Sequence, residues 1–138
     1  MTSGGFRALE EQATVDVRGI YSVPDEPAGE ETEGTRPEAV VFVLADGRSV
    51  TLTSTADGTL SAALGGARTM PDWCVPAEDW TRRRLPGLPE NESPGRTSGV
   101  VEITGERGAR VGVLLAFESV VLEVRAGEPL TVAVRKSR

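Results

Sequence analysis

Histidine is absent from this 138-residue chain, and cysteine and lysine occur once each, as Cys74 and Lys136. Without imidazole there is no histidine general base, no histidine triad and no imidazole metal ligand. One cysteine forms no disulfide within the chain and no cysteine-rich zinc or iron–sulfur site. Cys74 lies between Trp73 and Val75 with no histidine to activate it, and reads as a small buried apolar residue. Serine–lysine chemistry would rest on a lysine at the chain end. No phosphate-binding glycine-lysine-serine loop and no dinucleotide fingerprint is present; the glycine-rich "GERGARVG" lacks the spacing and reads as a hairpin turn.

Aromatic residues make up only 4% of the chain, so a core must be built from Val, Leu, Ala and Ile. No apolar run approaches membrane-spanning length, and the opening "MTSGGFRALEEQ" lacks the basic-then-apolar order of a secretory signal. With one unpaired cysteine, these absences predict a cytoplasmic protein with no membrane role. No catalytic residue, cofactor site or metal site is singled out. Carboxylate pairs are the chemistry left open, from Asp72, Glu78, Asp79, Glu102, Glu118 and Glu123, and nothing selects two of them.

Glycine and proline are plentiful, 16 and 9 residues, and they cluster between apolar segments as turn signals do. The net charge is -6. Residues 1–38 hold nine acids and three arginines, and the remaining hundred hold twelve of each charge, so the imbalance lies in the N-terminal quarter. A balanced remainder argues against nucleic-acid binding, which needs a positive footprint. The acidic excess centres on residues 24–38, rich in proline and without strongly apolar residues. It reads as a long flexible loop. Asp25, Glu26, Glu30, Glu31 and Glu33 are its candidate contacts for a basic partner, set against a purely solvated loop.

The apolar segments are short, β-branched and punctuated by glycine. Residues 1–12 read as a tail or a short helix, with Phe6, Leu9 and Ala13 near helical spacing. In "TVDVRGIYSV", strand alternation puts Val15, Val17, Tyr21 and Val23 on one face with Gly19, which marks a bulge or a close crossing. "AVVFVLADGRSVTLTS" predicts a hairpin turning at Asp46-Gly47, and Asp57-Gly58 turns the chain into a further strand. "VVEIT", "ARVGVLLAF" and "SVVLEVRAGEPLTVAV" follow a second breaker-rich loop at 86–99. Glu123 faces away from Val120, Leu122 and Val124.

These segments echo one another weakly. "VVFVLADGRSVTLT" from Val40 resembles "VVLEVRAGEPLTVA" from Val120, and "ATVDVRGIY" from Ala13 resembles "ARVGVLLAF" from Ala109. Either the chain holds two related three-stranded meanders, or two valine hairpins simply look alike. Residues 65–99 are then the connector. It contains "MPDWCVPAEDWTRRRL", with both tryptophans of the chain. Pro76, the early acids Glu78 and Asp79, and the four-residue spacings Glu78–Arg82 and Asp79–Arg83 predict a short helix over 76–85. Two roles compete for it. Trp80 and Leu85 plug an open end of the sheets with Trp73 beside them, or Trp73, Trp80, Arg82, Arg83 and Arg84 form a binding surface.

The sequence thus predicts one mainly β domain over residues 1–138. Six to eight antiparallel strands form a β-sandwich or partly open barrel, with one short helix. The alternative is a single curved sheet that dimerises. The expected function is a non-catalytic protein-binding or accessory protein, of the small inhibitor, antidote or subunit kind, with a homodimer among its possible partners. A small enzyme or an anionic-ligand binder using carboxylates and arginines is the alternative. It requires a concave polar pocket and a perturbed carboxylate.

Overall fold

The computed structural model describes residues 4–22, 37–55, 58–66, 80–84, 94–105, 108–118, 120–127 and 130–136. Among them the chain forms one helix, α1 (Gly4–Glu11), and nine strands. The strands are β1 (Thr14–Ser22), β2 (Ala39–Leu44), β3 (Arg48–Ser54), β4 (Leu60–Gly66), β5 (Trp80–Arg84), β6 (Gly99–Thr104), β7 (Arg110–Ala116), β8 (Val120–Arg125) and β9 (Thr131–Lys136). The first sheet runs β4-β3-β2-β1-β5 and the second β6-β7-β8-β9, with antiparallel pairing throughout. The architecture is the sandwich-like one expected. It has more strands than the six to eight predicted, and two sheets sharing one core replace the alternative of a single sheet.

That core follows from strand alternation. Val17, Val40, Phe42, Leu44, Val50 and Leu52 point inward from the first sheet and meet Val113, Leu115, Leu122, Val124 and Val132 from the second, all buried. Each such side chain contributes about 1.5–3 kcal/mol when taken out of water. Helix α1 packs along β3, β4 and β6, and its Ala8 and Leu9 join the same cluster. Arg96 Nη2 donates to the Glu11 carbonyl at 3.1 Å, satisfying an acceptor at the helix end. Paired backbone bonds between Thr14 and Gly95 tie the start of β1 to the segment leading into β6.

Gly47 and Gly58, the glycines of the two Asp-Gly pairs, stand in turns. Gly47 has φ 91° and Gly58 φ 83°, conformations open to glycine and costly for most side chains. Asp46 braces the first turn: its Oδ1 accepts from the Arg48 amide at 3.0 Å and its Oδ2 from Arg48 Nε at 2.6 Å.

Three expectations change. The bulge of β1 falls between Thr14 and Asp16, not at Gly19, so Val15 leaves the inward row and stands 41% exposed. Gly19 has a different reason to lack a side chain. The Tyr21 ring lies across it, and a Cβ there would meet ring atoms at 2.7–2.9 Å. The short helix is α1, and the one predicted over 76–85 is contradicted by β5: Trp80–Arg84 pairs antiparallel with β1, Ser22 opposite Trp80 and Arg18 opposite Arg84. The helix signals there were local, and each four-residue charge pair is worth only about 0.2–0.5 kcal/mol. Docking on β1 gives the segment a ladder of backbone bonds and gives Trp80 an apolar surface, which outweighs them.

The two echoed segments become β1-β2-β3 in one sheet and β7-β8-β9 in the other, each a three-stranded meander. Their likeness is in topology and facing, not in register. Gly19 faces Val40, and the echo would set Leu115 against Val120; Leu115 instead faces Leu122, two residues along. Val40 faces Leu52, whereas Val132 faces Val124, four residues from the echoed Val120. Both offsets are even, so inward and outward faces are preserved.

Candidate functional site

Of the residues singled out in the sequence, Asp25, Glu26, Glu30, Glu31, Glu33 and Trp73 lie outside the described residues, as does Cys74. Trp80, Arg82, Arg83 and Arg84 lie on β5, at the end of the first sheet. The change from helix to strand alters how they group. Residues facing one another in register share a side of the sheet. Trp80 therefore belongs to the outer side, and in the ladder Arg82 stands opposite Ile20, Arg83 opposite Gly19 and Arg84 opposite Arg18.

The outer side of the first sheet carries its own apolar cluster. Ile20 and Ala39 are fully buried and Val41 is 4% exposed, with Val43 and a half-buried Trp80 packed against them. Trp80 thus serves as packing for this cluster while keeping part of its surface open. Arg18 borders the cluster, its Nε 2.7 Å from Asp16 Oδ2. The same acid-x-arginine pairing recurs at Glu123–Arg125, 2.6 Å apart, because strand residues two apart share a face.

The outer side of the second sheet can be laid out from its registers in three rows across β6, β7, β8 and β9. The first row is Gly99, Ala116, Val121 and Arg135; the second is Val101, Leu114, Glu123 and Ala133; the third is Ile103, Gly112, Arg125 and Thr131. The half on β6 and β7 is wholly apolar, and the half on β8 and β9 carries charges of both signs. Val101 is 58% exposed, and Ile103, Leu114, Ala116 and Val121 are half-buried. The β6–β7 half is thus a continuous apolar strip, open to solvent at Val101. Gly112 is held as glycine by close approach, since a Cβ would lie 2.8 Å from the Val124 carbonyl oxygen.

No family model, curated protein or solved structure matches this chain.

Function must therefore be argued from these surfaces. Among the described residues no three acidic or cysteine side chains gather as a metal site would need. Among the described residues, the carboxylate with a displaced pKa is Asp46, lowered chiefly because the Arg48 amide donates to it, with help from the Arg48 guanidinium. Its position in a hairpin turn makes that a structural brace. Glu123 is solvent-facing and ion-paired, as its place in "SVVLEV" implied. Glu102 sits on the inward side of edge strand β6, bonded by Arg110 Nε at 2.5 Å. An inward-pointing charge of this kind discourages edge-to-edge pairing.

The strip on the second sheet was missed in the sequence, although a signal for it exists. "VGVLLA" and "GVVEIT" carry apolar residues at both alternating positions, not at one. A strand apolar on both sides is built to be covered on both sides.

Proposed function

We propose that this chain is a non-catalytic protein-binding or accessory module of the cytoplasm, of the small inhibitor, antidote or subunit kind. Its contact surface is the outer side of the second sheet. One observation carries the reading: the strip centred on Val101 and Leu114 is open, while the corresponding cluster on the first sheet is closed. An exposed apolar patch rimmed by charge is the usual mark of an interaction site. The half-open Trp80 at the other sheet's end is a second surface that a partner can reach. The single unpaired cysteine supports the cytoplasmic assignment.

The test is co-purification from the native host with wild type and with Val101→Glu. The expected result is a protein at near-equal stoichiometry with wild type and its loss in the variant, with unchanged circular dichroism. A small metabolite bound stoichiometrically instead, and retained in Val101→Glu, would favour the ligand-binding alternative and sink this one.

A further inference from the structure

Going beyond that reading, we infer that β4, the uncharged end strand of the first sheet, pairs antiparallel with the β4 of a second copy of this chain in a closed two-fold dimer. Among the described strands β4, β5, β6 and β9 end the two sheets. β5 carries Arg82, Arg83 and Arg84, β6 carries Glu102, and β9 carries Arg135 and Lys136. Charges on an end strand discourage pairing with another chain, and β4, "LSAALGG", has none. Ala63 and Gly65 are exposed, and Leu64 is 44% exposed although it stands opposite the fully buried Val50. Gly65 has no reason within the described chain to be glycine. Its backbone is not left-handed, and a Cβ there would meet nothing within 4 Å. Glycine inside a strand weakens it, and often marks a place where another backbone comes close.

The ladder to β3 fixes which groups this edge offers. The Thr55 amide donates to the Thr59 carbonyl at 2.9 Å, so hydrogen-bonded pairs recur at every second step from there: Thr53 with Ser61, Thr51 with Ala63 and Ser49 with Gly65. Leu60, Ala62, Leu64 and Gly66 therefore turn their amides and carbonyls away from β3. An incoming β4 must bond through the same residues, which excludes any register shifted by one. Setting Leu60 against Gly66 of the other copy pairs the strands over their whole length. Ala62 then meets Leu64, Ala63 faces its own counterpart on the axis, and about eight backbone bonds join the copies. Each leucine meets a glycine or an alanine. A shift of two residues either way sets leucine against leucine and leaves one end unpaired. The symmetry also closes the assembly, because the sheet's far end is β5 with its three arginines.

Sedimentation velocity on the purified full chain, from about 1 µM to about 500 µM, tests this in the range where small interfaces associate. The expected weight-average mass rises from 14.6 kDa towards twice that value. Ala62→Pro removes an outward amide and no bond to β3, so it should hold the chain monomeric with an unchanged circular dichroism spectrum. Ala63→Asp and Ala63→Lys should each weaken association at least about tenfold, because like charges meet on the axis, and an equimolar mixture of the two should restore it. Ala63 is exposed, so these charge variants decide the question even if Ala62→Pro fails to fold. Val101→Glu should leave the dimer intact, which keeps this inference separate from the surface on the second sheet. Wild type that stays at 14.6 kDa, a dimer that survives in each charge variant alone, or a mixture that restores nothing overturns the β4 pairing. A foreign protein held by a monomeric chain and lost in Ala62→Pro also overturns it, and would assign the edge to another protein's strand.

Discussion

Val41 and Val121 stand at matching places in the two echoed segments, both on the outer side of their sheets. Val41 is 4% exposed and belongs to a closed cluster; Val121 is half-buried in a strip whose central Val101 is 58% exposed. The valine runs that carry them are nearly the same. The strand that borders each meander differs as well. On the first sheet that strand is β5, which brings Trp80 onto the cluster. On the second it is β6, which brings Val101 and Ile103 but no aromatic residue. A both-sided apolar strand therefore specifies that a cover is needed. Whether the chain supplies that cover is decided elsewhere in the sequence.

The sharpest way to break this comparison is to remove one side chain from each outer side and measure urea unfolding of the dilute protein. Ile20→Ala should cost about 2–5 kcal/mol, as for truncation of any fully buried aliphatic residue. Val101→Ala should change stability by no more than about 0.5 kcal/mol, because the side chain is already wet. If the two losses were equal, the second outer side would be covered within the monomer, and the binding surface proposed for it would go.

A smaller effect sharpens the comparison through glycine. Gly112→Ala sets a Cβ against the Val124 carbonyl oxygen at 2.8 Å, and backbone within a ladder has little room to shift. A loss of about 1–3 kcal/mol is expected in thermal unfolding. Gly19→Ala meets the Tyr21 ring at a similar distance, but a ring can turn where a carbonyl cannot. It should lose less, and near-ultraviolet circular dichroism should show the tyrosine displaced. Equal losses would mean that Tyr21, 1% exposed, is held as rigidly as backbone.

How much of this was legible follows the range of each signal. The hairpin at Asp46-Gly47, the strands on either side and the shared face of Val17, Gly19 and Tyr21 were readable, because turn chemistry and alternation act over a few residues. The strand at Trp80–Arg84 was not. Its proline, acids and charge spacing favour a helix locally, and the partner that overrides them, β1, lies some sixty residues earlier. The bulge that turns Val15 outward was hidden for a related reason: it is set by how β1 meets β2 and Gly95, which one strand's pattern does not contain. The open strip was half legible. Apolar residues at both positions of "VGVLLA" announce two buried sides, but only the pairing of β6 shows that one of them stays bare.

The smallest expected effect separates the two hairpins by acidity. Asp46 braces the β2–β3 turn, and Ala126 stands at the corresponding place before β9. The Asp46 carboxyl titrates below its ordinary range because the Arg48 amide, and then the Arg48 guanidinium, favour the charged form. A carboxyl lowered in the folded state contributes stability at pH above its unfolded value, near about 3.9, and loses that contribution as pH falls through the folded value. Amides flanking the β2–β3 turn should therefore lose exchange protection over that acidic interval, beyond any global loss. Asp46→Asn keeps an oxygen to accept from the Arg48 amide but removes the charge. It should slightly weaken the turn at neutral pH and match wild type at the bottom of the acid range. The β8–β9 amides should follow the global curve in both proteins, since no carboxyl occupies the Ala126 position. Parallel acid responses in the two hairpins would show that the brace is too exposed to matter, and would leave the glycine alone to set the turn.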